Sequence, residues 1–274
     1  MSIKNLAANG VSASILFALC CAFSSQAAAQ APFYTDDIGV AEQGHLHLEA
    51  NNEYDWLQKS AAPNLRQNTA NLKVSYGLIN NLEVGFDNQL ITISNDVTPF
   101  LPETAFGYGD LDLSVKWNFR KESETDGWPA FAASLNIELP TGDSKQQLGS
   151  GITDYYLNAI AQKSLTDKLK LRINGGMYFA GNTLTGAVGI RNTRGVVFTG
   201  GTSLVRDFTT RLDLGFEVYG AVSHNFDLSR GQLQTQLGGN YKLRRNISLD
   251  FGIVGGFYQA SPRVGPIIGF SVDF

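Results

Sequence analysis

Residues 110–120 read DLDLSVKWNFR. Leu111, Leu113, Val115, Trp117 and Phe119 share one parity, and Asp110, Asp112, Ser114, Lys116, Asn118 and Arg120 share the other. Successive side chains of a β-strand point to opposite faces. A strand here is apolar on one side and polar or charged along the whole length of the other. A helix, with its period of about 3.6, does not sort these residues. Soluble sheets alternate too, but they turn the apolar face into a core. The fold is decided by which face points inward.

The same alternation recurs along the chain. Leu46, Leu48, Ala50, Tyr54 and Trp56 oppose His45, His47, Glu49, Asn51, Glu53 and Asp55. Ala70, Leu72, Val74, Tyr76 and Leu78 oppose Thr69, Asn71, Lys73 and Ser75, and Leu82, Val84 and Phe86 oppose Glu83, Gly85 and Asp87. Further runs lie near 129–139, 153–163, 168–179, 195–205, 211–221, 232–243, 246–257 and 264–274. The reading is about twelve strands of about ten residues each. Tight connections such as 79–81, 206–209 and 244–245 contrast with long polar ones at 92–106, 140–152, 180–194 and 222–231. Short turns at one end and long loops at the other suit an outer-membrane barrel, and an even strand count puts both chain ends on the short-turn side.

Three features turn the apolar face outward. The second face is charged along its length. Aromatics gather near strand ends: Tyr54, Trp56, Tyr155, Phe179 and Phe257 toward the loops, and Tyr76, Trp117, Phe119, Trp128, Tyr241 and Phe274 toward the turns. Such rings resemble the interfacial girdles of membrane barrels. Finally, about eight strands already enclose a space that side chains just fill, so twelve are hard to fill with apolar groups in one closed layer. The sequence therefore predicts an all-β protein, a transmembrane antiparallel up-and-down β-barrel of about 12 strands over residues 44–274. A soluble two-layer sandwich is the alternative.

The chain's beginning and end fit that reading. Lys4 is the one charged residue before Asp36, and an apolar run, Val11–Phe23, precedes SSQAAAQ. A cationic start, a short apolar core and a small-residue site predict a signal peptide, residues 1–29, cleaved after Ala29. The run is too short to span a bilayer, which takes about 20 residues. Residues 30–43 follow as a periplasmic segment within reach of the barrel mouth. Both cysteines, Cys20 and Cys21, fall inside the predicted signal, so the mature chain needs no disulfide in an oxidising compartment. Loss of Lys4 moves the formal charge from -4 to -5, a balance that speaks against nucleic acid. At the other end, residues 266–274 read PIIGFSVDF. In hydrocarbon every backbone polar group needs a partner, so the last strand must close on the first. Phe270, Val272 and Phe274 resemble the terminal signal read by the barrel-assembly machinery. The expected partners are outer-membrane lipid, that machinery and a small-molecule solute.

FYTDDIG (33–39), YGLINNLEVG (76–85), GYGDLDLSVKW (107–117) and LPTGD (139–143) together resemble the outer-membrane family named for the MetA pathway of phenol degradation. Ile38 stands where a proline often follows Thr-Asp-Asp in that family. The resemblance implies a transporter of small, often aromatic compounds.

A pore is the leading functional reading. Its candidate lining includes the bases Lys73, Lys116, Arg120, Arg172, Arg211 and Lys242, with His45 and His47. The acids are Glu49, Glu53, Glu83, Asp87, Asp112, Glu138, Asp213, Glu217 and Asp250. Acids outnumber bases, which favours cations unless the charges pair across strands and fill the interior. A lipid hydrolase is a second reading, but its ingredients are thin. His45 and His47 lack a clear third ligand, and the neighbours Ser223 and His224 point to opposite faces of a strand. A structural or adhesive barrel with partner-binding loops is a third; the loop LPTGDSKQQLGSG (139–151) is rich in turn formers. Neither catalysis nor a cofactor or metal is expected.

Overall fold

The computed structural model describes residues 32–59, 64–95, 99, 102–123, 125–180, 195–223 and 231–274. The predicted signal peptide and His224 lie outside these described residues. The strands are β1 (Leu46–Leu57), β2 (Asn64–Ile79), β3 (Leu82–Asn95), β4 (Thr104–Arg120), β5 (Ala130–Leu139) and β6 (Asp154–Thr166). They continue as β7 (Leu169–Ala180), β8 (Gly195–Asp207), β9 (Leu212–Ser223), β10 (Gln232–Arg244), β11 (Ile247–Gly256) and β12 (Pro262–Asp273). Each pairs antiparallel with its sequence neighbours, and β1 pairs with β12 to close the barrel. The closing register runs from His47 opposite Asp273 to Leu57 opposite Pro262. Leu46 and Phe274 exchange backbone bonds, so the chain is paired to its last residue.

The faces are those of a barrel in lipid. Leu113, Val115, Trp117 and Phe119 are exposed, and Lys116 and Asn118 between them are buried. Leu72, Phe86, Leu135, Leu157, Ile173, Phe216, Leu237, Ile253 and Phe270 continue the exposed apolar belt, while Glu49, Glu83, Arg172, Glu217 and Asp250 are buried inside. A soluble protein distributes these residue types the other way round. Aromatic groups edge the belt. At the turn end Trp117 lies 5.4 Å from Phe119, and Arg120 sits 5.4 Å over Trp128. At the loop end Tyr54 and Trp56 are 4.8 Å apart.

The structure corrects one expected loop. Both ends of residues 92–106 are strand, because β3 runs to Asn95 and β4 starts at Thr104. Here the polarity inverts. Ile91, Ile93 and Ala105 point inward and bury against Leu148. On β4, Leu111 lies opposite Asn88 and Tyr108 opposite Leu90, so Gly109 and Asp110 together face Gln89. This extra residue is a bulge, and it shifts the parity of everything beyond it. Phe106 and Tyr108 therefore face out although Leu111 and Leu113 do too. Asp110 accepts from Gly142 N at 2.9 Å and Ser150 N at 2.7 Å, fixing the β5–β6 loop over the barrel mouth. In that loop Asp143 accepts from Gln146 Nε2 and Lys145 N, bonds that hold its carboxyl below the usual value.

The seam has its own polar brace. His47 lies buried with Nδ1 2.6 Å from Asp273 Oδ1 and Nε2 3.2 Å from Glu49 Oε1. His45 Nδ1 is 2.8 Å from the Phe274 carbonyl oxygen. Breaking a buried charged network typically costs about 3–5 kcal/mol, because the partners stay buried. His47→Ala is therefore expected to lower the temperature at which the folded band is lost in detergent gels. His45→Ala, which removes a bond to a backbone oxygen, should lower it far less.

Candidate functional site

The site is built on residues 32–43. This segment, expected at the barrel mouth, runs deep into the lumen instead. It leaves β1 at the turn-end rim, where Gly44 N donates to Gly77 O at 2.8 Å and Gln43 bridges Gly77. Gly44 has φ of 82°, a conformation that suits glycine. A Cβ at Gly77 would lie 2.5 Å from the Ala41 oxygen and closer still to that of Glu42, so only glycine lets the segment pass. Gly77→Val is expected to push the segment off its path and raise conductance while leaving the β2 ladder formed.

Polar side chains from many strands hold the segment. Ala41 N donates to Glu83 Oε2 at 2.6 Å, and Asn118 Nδ2 donates to Ile38 O at 2.8 Å. Lys116 Nζ lies 2.8 Å from Asp36 Oδ1 and 3.6 Å from Asp37 Oδ1, and Arg172 reaches Asp37 Oδ2 at 3.3 Å. Asn174 brackets Asp36, accepting from its N at 2.7 Å and donating to its O at 2.9 Å. Thr35 donates to Glu217 from both N and Oγ1, at 2.5 and 2.6 Å, and its Oγ1 lies 2.7 Å from Ser203 Oγ. Tyr34 OH donates to Glu53 Oε1 at 2.6 Å, and Gln236 Nε2 donates to Pro32 O at 2.7 Å. The Thr-Asp-Asp stretch folds on itself first: Asp36 Oδ1 accepts from Asp37 N at 3.0 Å, and Asp37 Oδ1 accepts from Gly39 N at 2.8 Å. Such local bonds are the turn chemistry of aspartate. Asn118 bonds only the carbonyl of Ile38, a group a proline also has.

Asp37 makes the anchoring pH-dependent. Burial pushes its carboxyl up, but Arg172, Lys116, the Gly39 N–H and Lys73 together outweigh burial and hold it below its ordinary value. A depressed carboxyl stabilises the folded form fully above the ordinary value of about 3.9, and that contribution is lost as pH falls through the lower folded value. Loosening of the segment through loss of the Asp37 anchor, and the rise in conductance that goes with it, is expected below about pH 4. Asp37→Asn should show the raised level already at neutral pH. A titration of single-channel current on both proteins checks this.

The segment leaves space beside it. A cavity of 420 Å³ is lined by Tyr34, Glu49, Glu53, Lys73, Asp87, Asp112 and Lys116, among others. A second cavity, of 300 Å³, includes Asp110, Asp112, Glu138 and Leu148. The two share Gln89, Asp112 and Tyr178. The predicted lining residues thus separate into groups. Glu49, Glu53, Lys73, Glu83, Asp87, Asp112, Lys116 and Glu138 border these cavities. Arg172 and Glu217 grip the segment. His45 and His47 brace the seam. Asp250 accepts from Asn240 Nδ2 and Ser271 Oγ, both at 2.5 Å, within β10–β12. Arg120 pairs with Asp126 at the turn rim at 2.7 Å, and Arg211, Asp213 and Lys242 also lie toward the turns. Phe270 faces outward, and Phe274 pairs with Leu46.

Sequence reading missed four tyrosines. Tyr156 and Tyr178 stack in the lumen with centroids 4.1 Å apart, and Tyr34 stacks on Tyr219 at 5.6 Å. The signal was parity: Tyr156 shares a face with Asn158, Tyr178 with Arg172 and Asn174, and Tyr219 with Glu217. Among the described residues, no group of three or more His, Cys, Asp or Glu is placed to hold a metal ion.

The barrel is similar to solved outer-membrane proteins. The COG4313 outer membrane channel from Pseudomonas putida F1 superposes with a TM-score of 0.67 at 14% identity, covering 89% of this chain and 100% of that one. The NanC porin gives 0.54 at 13% identity over 82% and 98% of the two chains. The KdgM porin gives 0.53 at 11% over 83% and 99%. All three are channels or porins, and identities this low speak for the fold. No curated protein matches the sequence. A closed twelve-stranded barrel of this likeness belongs in the outer membrane of a Gram-negative bacterium. Residues 22–274 match the family described as "Putative MetA-pathway of phenol degradation", and the chain belongs to that family.

Proposed function

We propose that the protein is a passive diffusion channel for small organic solutes, including aromatic ones, with residues 32–43 as its constriction. The observation that carries this is the lumen itself: a polar, tyrosine-bearing cavity of 420 Å³ beside a polar plug. That volume lies within the range of small-molecule sites. Charged and hydroxylated walls offer solutes an aqueous route through the bilayer, with no covalent step. The family name and the likeness to the COG4313 channel support a transport role. Residues 1–29 serve as the cleaved signal in this reading, and Phe270, Val272 and Phe274 as the assembly signal. Deleting Phe274 is expected to lower the amount of assembled barrel severalfold in outer-membrane fractions.

Purified protein in vesicles tests the function. Single-ring phenols and comparable small solutes should enter faster than into protein-free vesicles, and large sugars should not. Vesicles that admit none of the small solutes would overturn the reading.

A further inference from the structure

We infer that the loop-end half of the lumen is a binding site for small organic cations, amines with a planar or compact apolar body. The inference rests on the channel reading above and names the solute class that the site selects.

Three observations converge. The first is an acidic row. Asp87 lies opposite Asp112, and Asp112 opposite Glu138, on three successive strands. Like charges directly opposite one another across a sheet are destabilising. Among the described residues, Lys116 pairs with Asp36 and Asp37 and Arg172 with Asp37, while Lys73 lies opposite Asp87 at one end of the row and pairs with Glu49. Among the described residues, no lysine or arginine lines the cavity that holds Asp112 and Glu138. A cationic solute supplies what the wall lacks.

The second is a buried acceptor. Asn158 is 7% exposed and lines the larger cavity. Its Nδ2 lies 3.3 Å from Asn174 Oδ1, an oxygen that also accepts from Asp36 N. The edge of Asn158 facing that oxygen must therefore be the NH₂. The remaining atom, Oδ1, is buried and has no hydrogen-bond partner. A ligand N–H satisfies it; a carboxylate or ether oxygen does not.

The third is the aromatic wall. Tyr156, Tyr178, Tyr219 and Tyr34 line the same cavity. Aromatic faces attract cations electrostatically and also receive a flat apolar body. Acid row, lone acceptor and tyrosine faces select a positively charged N–H donor over a neutral phenol of equal size, and select most strongly against an anion.

Vesicle uptake of three single-ring probes tests this: tyramine, 4-ethylphenol and 4-hydroxyphenylacetate, which are similar in size and differ in charge. The wild-type protein is expected to admit tyramine about tenfold faster than 4-ethylphenol, and the anion slowest. Tyramine should also block ion current in planar bilayers when added on the loop side. Asp112→Asn combined with Glu138→Gln should remove the tyramine preference, whereas Asp112→Glu, which keeps the charge, should retain it. Heat-shifted mobility in detergent gels reports whether each variant is folded. Equal entry of all three probes, or a preference that survives the double neutral variant, overturns the cation site and leaves the channel reading standing. Entry of none overturns both.

Discussion

Barrels lacking residues 32–41 are expected to fold, insert and pass several times the wild-type current. The segment crosses a lumen of twelve strands, a size between barrels that side chains fill and porins with open channels. It is held by side chains rather than by the ladder. Among the described residues, the Gln43 bridge and the Gly44, His45 and Gly77 backbone bonds at the rim tie its root to the strands. The β1–β12 closure owes nothing to residues 32–41, so deletion leaves every strand paired. Glu217, Arg172 and Lys116 lose their partners, but water entering the emptied lumen replaces them, so no charge is stranded in a dry interior. A complementary change fixes the segment in place. Thr35 Oγ1 and Ser203 Oγ lie 2.7 Å apart, close enough for Thr35→Cys and Ser203→Cys to be tested as a crosslink. If solutes pass by displacing the segment, oxidation of that pair should slow uptake and reduction should restore it. A deletion variant that conducts no more than wild type would show that the constriction lies elsewhere.

The barrel was legible in the sequence, and its plug was only partly so, for a physical reason. Strand facing is a local property. Asp112, Leu113, Ser114 and Val115 declare it within four residues, and their exposure in the structure follows that parity. Local patterns fail where they are interrupted. The Gly109–Asp110 bulge shifts parity by one, so alternation read from Leu111 back toward Phe106 gives the wrong face. Ile91 and Ile93 look like lipid-facing residues yet point inward, because Leu148 from a distant loop covers them. The plug's position is a property of long-range contacts. Thr35 meets Ser203 and Glu217, and Asp37 meets Arg172, partners more than a hundred residues away. Nothing in the period of residues 32–43 encodes that depth. What was visible was the density of hydrogen-bonding groups in Thr35, Asp36 and Asp37, together with buried charges on facing strands that needed partners. The tyrosines were visible too, since Tyr156 and Tyr178 share the parity of lumen residues. Sorting by parity before chemical type would have found them.

Leu113→Arg is expected to cost about 2–4 kcal/mol of barrel stability, and Asp112→Arg, one residue away, almost none. Leu113 faces outward between Phe86 and Ile137, its cross-strand neighbours, within the apolar belt. A guanidinium there enters hydrocarbon with no polar partner on either side, and near the bilayer midplane a long side chain has least scope to reach the interface. Asp112 sits between Asp87 and Glu138. An arginine at that position replaces a repulsive contact with two attractive ones in a hydrated cavity. Asp112→Arg should therefore assemble normally and shift ion preference away from cations. Denaturant titration in lipid vesicles measures the first difference, and reversal potentials in asymmetric salt measure the second. Were both variants equally stable, the assignment of apolar side chains to lipid and ionisable ones to the lumen would be wrong. The arrangement of plug, acid row and tyrosine wall would then lose its meaning, since each depends on those side chains sharing one aqueous interior.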